Sequence, residues 1–354
     1  MKTSKNLIER VASFENLHLA YLKARRGKAG STEVQRFDYN LEPELFRLQR
    51  ELLDGSYETG NYRNFTIFEP KERVISALPF RDRVVHHAVC AVIEPVFEKT
   101  FVNDSYACRK NRGTHRAVRK LKSFLASCRR ERANDCLVGA GGAGTEESEK
   151  EPFVLKCDVK KYFASVNHVV LKRLIRRKIA CARLLKVIDD VIDSFSPGIP
   201  IGNLTSQFFA NIYLTELDYF VKQRLRAKRY VRYMDDFILV GGSKSALQEA
   251  KNRIAGFLRS LGLSLHETKA TVFPARVGVD FLGYVVRESH VVPRRKTVTR
   301  FLGRMKVKLR SFFRGEILFS KLAESFNSWE AYLSHSHGFL LEKSVYASYF
   351  GNVM

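Results

Sequence analysis

Apolar positions along the chain change period several times, and each change marks an element. From residue 3 to 26 they recur at Leu7, Val11, Phe14, Leu17, Tyr21 and Leu22. This spacing predicts one helix, broken by the basic exit Arg25-Arg26-Gly27-Lys28-Ala29-Gly30. A second helical stretch, Leu41 to Leu53, runs into the turn signal Asp54-Gly55. The period then falls to two, and Asn64 to Phe68 and Val74 to Leu78 alternate like paired strands around Glu69-Pro70-Lys71-Glu72-Arg73. That basic tip either reaches over a phosphate chain or is an ordinary exposed hairpin end. Helical spacing returns over 79–100, behind Arg81-Asp82-Arg83, with a face of Val84, Ala88, Val92 and Val96.

Two later strand patterns end on acids. Phe153 to Cys157 leads into Asp158, and Tyr233-Met234-Asp235-Asp236 lies between Tyr230-Val231 and Phe237-Ile238-Leu239-Val240. The second pattern reads as strand, tight turn, strand, with both acids on the turn because a sheet interior excludes them. Neighbouring carboxylates on a rigid bend repel each other and suit a hard cation such as Mg²⁺; a plain Asp-containing turn is the alternative. If Asp158 lies beside that hairpin, three carboxylates converge and two divalent ions can serve in-line phosphoryl transfer. Asp189, Asp190 and Asp193 sit in an amphipathic pattern and read instead as a wet helix face. The stretch from Pro197 to Gln207, before an apolar helix from Phe208 to Leu217, holds glycines that allow close backbone approach to a ligand or mark a simple helix entry.

Charge adds a partner. Among 354 residues, 61 are Lys or Arg and 37 Asp or Glu, a formal charge of +24 that favours a polyanion. The excess clusters: Arg109 to Arg132 holds ten basic residues against Glu131, and the chain from Val291 holds eleven against four acids. The first reads as a phosphate track, the second as a basic helix with Phe301, Met305 and Leu309 on one face. Between them Gly139 to Gly144, followed by Glu146, Glu147, Glu149 and Glu151, is a low-complexity insert. A hydrophobic fraction of 45% excludes a wholly disordered chain. No apolar run has the length of a membrane span and the N-terminus lacks a signal core, so no membrane role and a cytoplasmic location are expected. The six cysteines lack zinc-type spacing and are expected as free thiols, and His335 and His337 have no cysteine partners.

Taken in order, these features resemble the motif series of reverse transcriptases. The series is Asp158 with Phe163 five residues on, Gly202 to Gln207, Tyr-Met-Asp-Asp at 233–236, Leu263-Ser264-Leu265 with Lys269, and Phe281-Leu282-Gly283-Tyr284. Upstream, Lys71, Arg73, Arg81-Asp82-Arg83 and Glu94-Pro95-Val96-Phe97-Glu98 extend it, so that roughly residues 60 to 290 are covered. Ile201-Gly202-Asn203-Leu204-Thr205-Ser206-Gln207 is similar to the hydrophobic-Gly-x-x-x-Ser-Gln signature of the enzymes of diversity-generating retroelements. Intron-encoded relatives more often carry Gln before the Gly and Pro after the Ser. The chain's end at Met354, without an endonuclease segment, agrees with the short retroelement enzymes.

The resemblance implies an α/β (α+β) right-hand polymerase. Its parts would be an N-terminal helical extension over 1–60, fingers and palm over 61–290 with a flexible insert at about 133–152, and a short helical thumb over 291–354. Asp158, Asp235 and Asp236 would be catalytic, holding two Mg²⁺ ions, or Mn²⁺, with the Val159 carbonyl. Lys269 would protonate leaving pyrophosphate. Lys71 and Arg73 would clasp the nucleotide triphosphate, Phe163 would exclude a 2′-hydroxyl, and Ile201, Gly202 and Gln207 would line the nucleotide site. An isoleucine at 201 cannot hydrogen-bond where many relatives place a Gln, which implies lowered fidelity opposite template adenines. Implied partners are template RNA, the RNA/cDNA duplex, deoxynucleotides and a small basic pentameric accessory protein, in a bacterial or phage-encoded setting. The rivals are an anti-phage defence or orphan intron-like reverse transcriptase of ordinary fidelity, and an RNA-binding scaffold on a retired polymerase fold. The presence of all three acids, Phe163 and Lys269 disfavours the scaffold.

Overall fold

A computed structural model describes residues 6–68, 72–138 and 151–337. The first helical stretch is two helices, α1 (Ile8–Val11) and α2 (Phe14–Arg25). The break falls at Ser13, whose hydroxyl accepts from the Asn16 amide and caps α2. Apolar spacing runs unbroken through this point, so periodicity alone reads one helix. α3 (Thr32–Tyr39), capped by the Ser31 hydroxyl, had no counterpart in the periodic reading. α4 (Leu41–Asp54) ends as expected on Gly55, whose φ of 80° fits the left-handed C-cap.

β1 (Arg63–Ile67) and β2 (Arg73–Ala77) form an antiparallel hairpin. Its tip, with Lys71, lies outside the described residues, as do the glycine-rich insert and the last seventeen positions of the expected thumb. α5 (Phe80–Glu98) follows, then α6 (Thr114–Val138), which extends well beyond the stretch its apolar face marks. Leu17, Leu45, Leu48, Val85 and Ile93 pack α2, α4 and α5 into one layer.

β3 (Phe153–Asp158) leads into α7 (Tyr162–Ser165), α8 (His168–Arg176) and α9 (Ala182–Asp193). Asp189 pairs with Arg176 and Asp193 with Lys172, as the wet-face reading requires. α10 (Leu204–Tyr219) begins four residues before its expected start and continues into a π-helical turn, Phe220–Arg224. Then come β4 (Tyr230–Tyr233), β5 (Asp236–Gly241), α11 (Lys244–Ser260), β6 (Thr271–Pro274), β7 (Val279–Phe281), β8 (Tyr284–Val286) and β9 (Val291–Pro293). α12 (Arg295–Phe313) and α13 (Phe319–Leu333) close the described chain.

The central sheet runs β4-β5-β3-β6, each neighbour antiparallel. Side chains alternate between its faces. Leu155, Cys157, Tyr230, Phe237 and Leu239 enter the main core with α10 and α11. Val154, Val231, Ile238 and Val240 enter a second core with α6 and the β7-β8-β9 sheet. The α12–α13 hairpin has its own small core, in which Phe301 stacks on Trp329 at 4.1 Å. It is tied to the small sheet by Tyr284, whose hydroxyl donates to the Tyr332 carbonyl at 2.9 Å. His335 lies against His115 at 3.6 Å between ring centroids, and His337 exchanges hydrogen bonds with the Val291 backbone; both rings remain exposed. Cys90, Cys108, Cys128, Cys157 and Cys181 are free thiols. Among the described residues no helix is long and apolar enough to cross a membrane.

Candidate active site

Strand register assembles the acids. The β3–β5 ladder sets Asp158 opposite Asp236, and the β4–β5 ladder sets Tyr233 opposite Asp236. The turn therefore contains only Met234 and Asp235. This corrects the expectation that both acids lie on the bend: Asp235 occupies it and Asp236 already opens β5. A two-residue hairpin turn matching the strand twist needs a positive φ, and Met234 supplies it at 55°. Directly opposed residues project to one side, so Asp158 and Asp236 share a face with Lys156, two positions back on β3.

The segment after α11 fixes the other edge. β6 pairs with β3 only from Phe153 to Lys156. Beyond it, His266 donates its amide to the Asp158 carbonyl at 2.8 Å, and the Lys160 amide donates to Ser264 at 2.8 Å. The Lys269 amide donates to the His266 carbonyl at 3.2 Å, closing a turn that returns the Lys269 ammonium to the Asp158 carboxylate. Val159, buried, donates to the Asp235 carbonyl at 3.3 Å. Backbone bonds thus lock the two acid-bearing segments to each other.

Electrostatically the acids are crowded. Burial, with Asp158, Asp235 and Asp280 nearby, lifts the Asp236 carboxyl to about 7, against the pull of Lys156 at 3.9 Å. Burial and then Asp158 raise Asp235, while Arg73 and Lys269 pull it down. Asp236 Oδ1 is buried with no hydrogen-bond partner. Such an oxygen and such repulsion are what a hard divalent cation relieves. Among the described residues no three His, Cys, Asp or Glu side chains form a complete metal-holding group by themselves. Mg²⁺ does not ask for one, since it uses one or two carboxylates and fills its shell with water and substrate phosphate. The donor set fits that ion.

Arg73, exposed at the start of β2, extends its charge to Asp235. Phe163 is half-buried on α7, edge-on to Tyr162 at 5.6 Å. The Ile201 carbonyl accepts from the Ser76 amide at 2.9 Å, joining the segment before α10 to β2. Gly202 has a φ of 127°, and a Cβ there would sit 2.8 Å from Ile75 Cγ2 and 3.1 Å from the Ser76 carbonyl. Its bareness admits a strand of this chain, which the ligand-approach reading of the glycines did not foresee. Gln207 is exposed on the first turn of α10, where it accepts from the Cys108 thiol at 3.3 Å. It lines a cavity of about 160 Å³ with Lys28, Arg83, His86 and His87.

Sequence reasoning missed two charged residues beside the acids. Lys156 was legible in the period-two alternation that puts it on the face of Asp158. Arg232 was not, because a charge between Val231 and Tyr233 reads as an exposed strand position, whereas it is fully buried against Asp218.

The family model for "Reverse transcriptase (RNA-dependent DNA polymerase)" matches residues 67–286. The chain belongs to this family. As a reverse transcriptase it is an RNA-directed DNA polymerase, and its sequence relatives include group II intron-encoded proteins. Protein YkfC of Escherichia coli is 27% identical over 291 residues, covering 69% of this reverse transcriptase and 71% of YkfC. The group II intron-encoded protein LtrA of Lactococcus lactis is 24% identical over 349 residues, covering 76% of this chain and 54% of its own length. The chain thus spans about half of LtrA. Telomerase from Candida tropicalis, solved with a TWJ fragment of telomeric RNA, superposes with a TM-score of 0.51 at 14% identity over 75% of this chain and 52% of the telomerase. That likeness concerns the fold, and it agrees with a right-hand polymerase of mixed helix and sheet.

Proposed function

We propose that Asp158, Asp235 and Asp236 form the polymerisation centre of an enzyme that copies a template-repeat RNA into adenine-mutagenised cDNA for a diversity-generating retroelement. The observation that carries the centre is the register placing Asp158 opposite Asp236 with Asp235 on the intervening turn. Asp158 and Asp235, with the Val159 carbonyl and with Asp236 beside them, would hold Mg²⁺ or Mn²⁺; two such ions supply activation of the primer 3′-hydroxyl and charge stabilisation at the leaving pyrophosphate. Arg73, with Lys71, meets the negative charge of the triphosphate. Lys269 carries its proton on Nζ and delivers it to the leaving pyrophosphate. Phe163 lies under the sugar and excludes a 2′-hydroxyl. The right-hand division of the chain at about residues 60 and 290 belongs to the same reading.

The retroelement assignment rests on Ile201 and on the Ser206-Gln207 pair. With no hydrogen-bonding side chain at 201, base-pair geometry is policed less strictly. Template RNA and its cDNA duplex would be gripped through phosphates without sequence preference, and the small basic pentameric accessory protein would join them in the cytoplasm, in a bacterial or phage-encoded setting. A second reading, an intron-like enzyme of ordinary fidelity, is favoured by the similarity to LtrA.

Both are tested by primer extension on an RNA template with scattered adenines, with Asp235→Ala and Ile201→Gln alongside. Asp235→Ala should lose at least ~10³-fold in rate, the scale expected when charge stabilisation at the reacting phosphate is removed. Errors focused at adenines, and reduced by Ile201→Gln, are the expected outcome. Faithful cDNA from the wild-type protein, with its accessory partner supplied, overturns the retroelement reading in favour of the intron-like one.

A further inference from the structure

Beneath the acidic turn lies a charged cluster that the polymerisation chemistry does not use. Arg232, on β4, and Asp218, on α10, are both completely buried. Arg232 Nε donates to Asp218 Oδ1 at 2.7 Å and Nη2 to Oδ2 at 2.6 Å, a two-point fork. The Tyr230 hydroxyl donates to the same carboxylate at 2.7 Å. With the fork engaged, Arg232 Nη1 is aimed at two oxygens, Asn211 Oδ1 and the Met234 carbonyl, each at 3.1 Å. Asn211 is itself held by donating to the Ala107 carbonyl at 2.8 Å. Burial works against the guanidinium charge, but Asp218 more than offsets it and holds Arg232 above its ordinary value.

The Met234 carbonyl and the Asp235 amide belong to one planar peptide unit. Fixing that carbonyl fixes the plane from which the Asp235 side chain departs. Met234 sits at a φ of 55°, a conformation that side chains other than glycine rarely adopt, so the bend needs an external hold. On its other flank, the Asp235 carbonyl is pinned by the Val159 amide at 3.3 Å. Among the described hydrogen bonds, Arg232 supplies the only side-chain grip on the Met234 carbonyl. A buried ion pair gives little net stability over apolar residues of the same size, so fold stability alone is a weak reason for this one.

We infer that Arg232, oriented by Asp218 and Asn211, is a positioning residue that sets the plane of the Met234–Asp235 peptide and so aims the Asp235 carboxylate at the reacting phosphate. It touches no substrate and acts through Asp235. The inference rests on the proposed role of Asp235.

The test compares the full-length wild-type protein with Arg232→Lys and with the apolar pair Arg232→Met/Asp218→Leu, which leaves no unpaired buried charge. Four quantities are read: thermal midpoint, affinity for a primed RNA duplex, apparent nucleotide affinity, and the Mg²⁺ dependence of single-turnover incorporation. The apolar pair should fold and bind duplex and nucleotide within about twofold of wild type, while its incorporation rate falls about 10- to 100-fold, the scale of an ångström-sized misplacement, and its half-saturating Mg²⁺ rises. Arg232→Lys keeps the charge against Asp218, but one ammonium lacks the guanidinium fork that reaches Met234 at the same time; it should show the same kinetic defect. Should the apolar pair fail to fold, Arg232→Lys decides alone, since wild-type rate and Mg²⁺ dependence in it would overturn the inference. A folded apolar pair with unchanged rate and Mg²⁺ dependence would overturn it too. If Asp235→Ala itself retains activity, the assignment of the centre fails instead, and that control separates the two failures.

Discussion

Gly202 is the residue whose requirement is easiest to state and hardest to foresee. Its φ of 127° and the 2.8 Å approach of Ile75 Cγ2 leave no room for a Cβ. Gly202→Ala should therefore cost about 1–3 kcal/mol of stability, read as a fall in the midpoint of denaturant unfolding, with the loss persisting when Ile75 is trimmed because the backbone strain remains. In the sequence this glycine could be seen, but its reason could not, since Ile75 and Ser76 lie more than a hundred residues away. Asp158 and Asp235 were legible for the opposite reason: an acid at the end of an apolar strand run has few places to go. Asp236 was placed one position wrong because turn length depends on whether Met234 accepts a left-handed conformation, which composition does not reveal. Arg232 was invisible because its burial is made possible by Asp218, a partner fourteen positions earlier on another element.

At the scale of elements, periodicity served best where one face is buried against one layer. α4 and α5 lie where their apolar spacing puts them, and so does the β4–β5 hairpin apart from Asp236. It failed where a local cap outweighs it, as at Ser13, and where a short helix such as α3 buries only Val34 and Phe37. The basic helices carry a prediction of their own. Lys306 and Arg310 are exposed and one turn apart on α12. If α12 lies along the template–primer backbone, replacing both with Ala should weaken duplex binding equally for unrelated sequences. It should also reduce the slope of log affinity against log salt by about 1.4–1.8, two phosphate contacts' worth. A salt titration of duplex binding reads this directly, and an unchanged slope would remove α12 from the nucleic-acid surface.

Across the whole molecule, α5 joins the N-terminal helical layer to α10 through a buried histidine. His86 is 1% exposed, its Nδ1 lies 3.1 Å from the Thr205 hydroxyl, and burial, then neighbouring His87, lowers it from 6.5 to about 3. Between those two values the unfolded chain binds the proton and the folded one does not. Stability from this group is therefore whole above pH 6.5 and lost as pH falls toward 3. Denaturant midpoints at pH 7.5 and pH 5 should differ less in His86→Gln than in the wild-type protein; an equal difference would assign the acid sensitivity elsewhere.

The bond between the Ser76 amide and the Ile201 carbonyl has a mechanical consequence. It is a backbone contact, reinforced by the bare Gly202, so the β1–β2 hairpin cannot swing away from the segment before α10 as a gate swings from its post. The hairpin and the segment before α10 should therefore travel as one body, with any hinge outside residues 73–77 and 201–203. In a Cys108→Ser background, spin labels at Phe65→Cys and Gln207→Cys should accordingly keep one separation with and without bound nucleotide, whereas a second distance would mean that the joint opens. If Arg73 meets the triphosphate and Ile201 the new base pair, as proposed above, grasping the one and feeling the shape of the other would be a single movement, and a lapse in one would be transmitted to the other.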